Sequence, residues 1–92
     1  MRNYEIVFYE LFYPAREIEE VERVEIEARN IIVAKEIAAE SGWTVDPRTW
    51  RAGDGALSKS DACRHQTADL VGGGMVEVIE VDKVGQDLTT IR

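Results

Sequence analysis

Ninety-two residues with a net charge of minus 7, a single cysteine and ordinary apolar content describe one small globular domain, residues 1–92, rather than a disordered or disulfide-stapled chain. The acidic balance argues against a protein that gains affinity by neutralising nucleic-acid phosphates or by docking on anionic lipid. Cys63 has no second cysteine to pair with, Glu5 and Glu10 interrupt the apolar N-terminal residues, and no stretch approaches the roughly 20 apolar residues that span a bilayer; a cytoplasmic protein without signal peptide or membrane span is expected.

Residues 4–13 (YEIVFYELFY) are dense in aromatic and β-branched side chains, with apolar groups in both alternation phases. That pattern predicts a well-buried strand, either covered on both faces or central in its sheet. Pro14 cannot donate a ladder hydrogen bond, so Pro14, Ala15 and Arg16 are read as the bend into a second, antiparallel strand over residues 18–28. There Val24, Ile26 and Ala28 alternate with Glu25, Glu27 and Arg29, the period of a half-buried strand. Extended towards the N-terminus, the same alternation places Glu17, Glu19, Arg23, Glu25 and Glu27 in one row on a solvent face.

At Asn30 the period changes from strand to helix. Asn30 is the expected N-cap of a helix over residues 31–41, with Ile31, Val33, Ala34, Ile37 and Ala38 on one side and Lys35, Glu36 and Glu40 on the other. Gly42 and Trp43 form a Schellman-like ending, and Ile32 and Ala39 fall outside the apolar face. Asp46 before Pro47 predicts a single helical turn through Trp50, which helps to close the core. Gly53, Asp54 and Gly55 form a loop. Residues 58–71 fit either a short helix or a polar strand, with helix favoured; Gly72, Gly73 and Gly74 read as a flexible connection. A last strand follows over residues 75–84, its alternation slipping between Val78 and Ile79 as at a bulge or a doubly covered strand. Residues 85–92 read as a frayed tail. The elements together predict an α+β domain: an antiparallel sheet of three to four strands with one main helix packed on one face.

No spacing matches a metal, cofactor or nucleophile motif. His65, the only histidine, lies two residues from Cys63, and at that spacing the side chains do not meet across a site in either helix or strand; without a second histidine or a CxxC pair no metal site is completed. The three consecutive glycines lack the lysine and hydroxyl of a phosphate loop and the spacing of a dinucleotide fingerprint. No basic stripe or aromatic nucleic-acid signature is present, and no cofactor and no direct nucleic-acid contact are expected.

The charge distribution carries more. Residues 1–40 hold ten acidic against five basic side chains, whereas residues 41–70 hold four of each. The order strand, strand, helix, strand, carried by residues 24–43 (VEIEARNIIVAKEIAAESGW) and the acidic row on the second strand, resembles the small phage-encoded anti-CRISPR proteins that act on type I surveillance complexes. That resemblance implies a stoichiometric, non-enzymatic inhibitor acting in the host cell. Its carboxylates would occupy a basic groove meant for DNA. The expected partner-binding residues are Glu17, Glu19, Glu25 and Glu27, flanked by Glu36 and Glu40, with Tyr9, Tyr13 and Trp50 as anchor candidates. The alternative is a subunit or antitoxin-like component of a homo- or hetero-oligomer, joined through the edge of the first strand or through Ile32 and Ala39. An enzyme built on Cys63, His65 and the carboxylates is the third reading.

Overall fold

In the computed structural model, which describes residues 1–12, 17–53 and 59–81, β1 (Arg2–Phe12) and β2 (Glu17–Ala28) form a long antiparallel hairpin. The helix α1 (Ile31–Ala39) follows. A 3-10 turn (Pro47–Thr49) leads to the two-residue β3 (Arg51–Ala52), the short helix α2 (Lys59–Ala62), β4 (His65–Asp69) and β5 (Met75–Val81). The strands join in the order β2-β1-β5-β4-β3, every pair antiparallel. The α+β class is as expected, with five strands where three to four were predicted. The addition comes from residues 51–52 and 65–69, whose polar composition carries little strand signal.

β1 is the heart of the sheet. Tyr4, Ile6 and Phe8 point towards α1 and are buried with Val76 and Val78 of β5 and Ala68 of β4, while Val7 is buried on the opposite face. Of the two expectations for this stretch, the central strand is the one found: β1 is interior to the sheet, and its second phase is buried at Val7 but only half-buried at Glu5, Tyr9 and Leu11. Over Asn3–Tyr9, β1 is paired with β2 on one side and β5 on the other, while Glu10–Phe12 pair with β2 alone among the described residues. Along Asn3–Tyr9 the edge of the first strand is closed to assembly, since its main-chain groups there are paired on both sides.

The side chain of Asn30 accepts a hydrogen bond from the Val33 amide at 3.0 Å, the predicted cap. Ala34 and Ala38 are fully buried, and their small size lets the helix sit close to the sheet. At its end the Ser41 hydroxyl donates to the Ala38 carbonyl at 2.6 Å, Gly42 takes φ +100°, and Trp43 turns back to stack on Phe8 with ring centroids 5.3 Å apart. Asp46 caps the 3-10 turn, accepting from the Arg48 amide. Trp50 packs at the margin of the core beneath the Lys35 ammonium, 5.3 Å from its ring centroid.

Two local expectations are corrected and a third is decided between its alternatives. Of residues 59–71, only Lys59–Ala62 are helical, and His65–Asp69 form a strand, because β5 offers each of its residues a partner and that pairing outweighs a weak helical preference. The three glycines are a tight reversal rather than a loose connection: Gly72, Gly73 and Gly74 all have positive φ, and the Leu70 amide donates to the Gly74 carbonyl at 3.1 Å. Of the two readings of the slip between Val78 and Ile79, the doubly covered strand is the one found: β5 pairs without a bulge on both sides, buried on the helix side and partly covered on the other. The bend at Pro14, Ala15 and Arg16, the loop at Asp54 and Gly55, strand residues 82–84 and the tail 85–92 lie outside the described residues.

Candidate functional site

A bulge does occur, in β2. Phe8 pairs with Glu22 and Tyr9 with Glu20, leaving Val21 as the extra residue. One inserted residue exchanges the faces of everything beyond it, and the consequence for the acidic row is direct. Glu25 and Glu27 pair with Glu5 and Asn3 on the face away from α1, whereas Glu17 and Glu19 pair with Phe12 and Glu10 on the helix side. The predicted single row is therefore two shorter ones on opposite faces. Arg23 reports the same slip: its guanidinium meets both Glu20, at 2.8 Å, and Glu5, and a residue three positions away shares a face in a strand only across a bulge. The hydrogen bonds from Arg23 hold the Glu20 carboxyl below its ordinary range, and Glu20 and Glu5 in turn raise Arg23. Glu22 accepts the indole N–H of Trp43 at 2.7 Å. Glu36 and Glu40 lie exposed on and just beyond α1, on the helix side with Glu17 and Glu19. Ile32 and Ala39 are exposed as well.

Two cross-strand pairs of the hairpin set like charges directly opposite each other. Glu5 faces Glu25 on one side of the ribbon, and Glu10 faces Glu19 on the other. Among the described residues, the only ion pairs that β2 makes run through Arg23; Glu10, Glu19 and Glu25 have no cation. β2 is exposed from Glu17 to Glu25 on both faces, and its exposed apolar side chains are Ile18, Val21 and Val24, with Phe12 of β1 beside them.

The opposite half of the sheet carries a polar clamp that the sequence reading does not contain. The Glu77 carboxylate accepts the Tyr9 hydroxyl at 2.7 Å and contacts the His65 imidazole Nε2 at 2.6 Å, tying β1, β5 and β4 together on the face away from α1. His65 lies flat over Gly53, where a β-carbon would collide with the ring. His65 thus turns to Glu77 rather than to Cys63, which is exposed beyond α2. Among the described residues no three His, Cys, Asp or Glu side chains converge as a metal site, and no helix is long and apolar enough to cross a membrane.

Burial, followed by the hydrogen bond to Glu77 and that group's charge, pushes the Tyr9 hydroxyl up from 10.0 to about 12. Since the fold favours the neutral phenol, the stabilisation is fully present below pH 10.0 and is lost as pH rises through about 12. Tyr9→Phe is expected to flatten the decline of unfolding free energy across that interval, measured by denaturant titration at a series of pH values. A smaller slope remains from Tyr4, raised first by burial and then by the charge of Glu80. An unchanged slope in the variant would show that the clamp is not the source.

Comparison with known proteins finds no matching family model, no matching curated protein and no matching solved structure.

Proposed function

We propose that this chain is a non-enzymatic acidic binding protein that seats its β1–β2 ribbon in a basic groove of a nucleic-acid-handling partner, an inhibitor of the anti-CRISPR kind. The observation that supports it is the juxtaposition of Glu5 with Glu25 and of Glu10 with Glu19. Like charges directly opposite in a sheet destabilise it. A surface that meets lysines and arginines recovers that cost on binding. A groove that binds DNA has already gathered such cations. Fixed carboxylates compete for it with fast, salt-sensitive association. Of the expected anchors, Tyr9 is engaged with Glu77, Trp50 is half-buried and Tyr13 lies outside the described residues; Phe12 and Ile18, 41% and 53% exposed at the end of the hairpin, are better placed.

The test uses the tagged protein to capture a type I surveillance complex expressed in a bacterial lysate, at low and at high salt. Capture that weakens with salt is the expected result. Glu19→Gln and Glu25→Gln should each weaken it, while raising the stability of the isolated domain by about 0.2–1 kcal/mol through relief of the like-charge pairs. The protein recovered alone at both salts would overturn the inhibitor. A mass that then rises with concentration in light scattering would instead support self-assembly through Ile32 and Ala39.

A further inference from the structure

Among the described residues, the sheet has the two-residue β3 at one edge and the twelve-residue β2 at the other, bonded only to β1. Alternate residues of such a strand aim their N–H and C=O groups away from their sole neighbour, so β2 presents a row of unpaired main-chain donors and acceptors. The bulge at Val21 interrupts the edge and leaves residues 22–28 as its regular part. Along that part the two faces differ in chemistry. Glu25 and Glu27 stand on the face away from α1 without a cation among the described residues, whereas Val24, 36% exposed, and Ile26 stand on the helix side.

We infer that the free edge of β2 over residues 22–28 is a strand-addition site for an extended segment of a basic protein, one that alternates Lys or Arg with an aliphatic residue. This rests on the proposed reading of the chain as an acidic binding protein and gives it a mode of contact. In a sheet the side chains of an added strand lie beside those of its neighbour on the same face. Basic residues at every second position would therefore flank Glu25 and Glu27, and the aliphatic residues between them would cover Val24 and Ile26. Main-chain hydrogen bonds supply affinity and the alternating side chains supply selectivity. A second copy of this chain is the wrong occupant. β2 carries six glutamates and one arginine, so pairing β2 with β2 sets carboxylate against carboxylate, which also protects the free protein from edge-to-edge association.

The experiment titrates isotope-labelled protein with a six-residue peptide of alternating lysine and valine, and with two versions N-methylated either at every lysine amide or at every valine amide. An added strand directs one set of its amides at β2 and the other away. The parent peptide should bind in a salt-sensitive manner and slow hydrogen exchange at alternate amides of residues 22–28. One methylated version should lose at least roughly tenfold in affinity and the other much less. Glu25→Lys together with Glu27→Lys should weaken the parent peptide, with the amide spectrum confirming that the variant is folded. Equal, salt-sensitive binding of all three peptides would overturn strand addition while leaving the acidic-surface reading in place. Failure of the parent peptide to bind at low salt would overturn both.

Discussion

Replacing Gly74 by alanine is expected to destabilise the domain by about 2–4 kcal/mol, more than a positive φ alone accounts for. Gly74 sits at φ +97° where the reversal enters β5, and a β-carbon there would be driven into the Tyr9 carbonyl oxygen and against the Glu10 main chain. The residue carries two constraints: a conformation L side chains avoid, and the close approach of two backbones. Gly42 separates them. It has a nearly identical φ of +100°, yet a β-carbon there meets nothing within 4 Å, so Gly42→Ala should cost only about 1 kcal/mol. Urea denaturation of the two variants measures the difference, with an unchanged m value showing that the unfolding transition is the same. Equal losses would mean that strain alone acts at both sites and that the contact with Tyr9 is relieved by a small shift of the hairpin.

How far the fold can be read from the residues depends on whether local chemistry and tertiary pairing agree. They agree at residues 24–43. The alternation of residues 24–28, the Asn30 cap and the buried Ala34 and Ala38 follow from side-chain type and spacing and are found where expected; α1 ends at Ala39 rather than Ser41, so the left-handed Gly42 lies two residues beyond the C-cap Glu40. They disagree at residues 65–69, where His65, Gln66, Thr67 and Asp69 offer no hydrophobic period and become a strand only because β5 pairs with them. Nothing local encodes that. The glycine reversal is hidden for a related reason: three glycines in a row look the same whether they are loose or held at positive φ by a hairpin.

The acidic surface was half legible. That Glu17, Glu19, Glu25, Glu27, Glu36 and Glu40 reach solvent follows from composition and period. That they divide between two faces does not, because the division hangs on one unpaired residue, Val21, and a bulge leaves no mark in a strand that is already polar at most positions. The only local trace is Arg23, whose hydrogen bonds to Glu20 join positions that an unbroken strand would put on opposite sides. The clamp of Tyr9, Glu77 and His65 spans 68 residues of sequence, beyond anything periodicity can register. His65 and Cys63 are neighbours in the chain, while the partner of His65, Glu77, comes from the adjacent strand.

Phe8→Ala should cost about 3–5 kcal/mol, a large part of the 5–15 kcal/mol that holds a domain of this kind folded. Phe8 is completely buried, opposite Glu22 at the start of the bulge, and its ring lies nearly parallel to that of Trp43, with 14° between the planes. Removing it leaves a cavity beneath α1 and also releases Trp43, whose indole N–H is bonded to Glu22 on β2. The loss should therefore depend on what Trp43 is. In a double-mutant cycle with Trp43→Ala the two residues should couple by about 0.5–1.5 kcal/mol, the worth of an aromatic pair beyond its buried area. Costs that simply add would mean that Phe8 acts by filling volume alone, and that the end of α1 is tied to β2 by the Glu22 hydrogen bond without help from the stack.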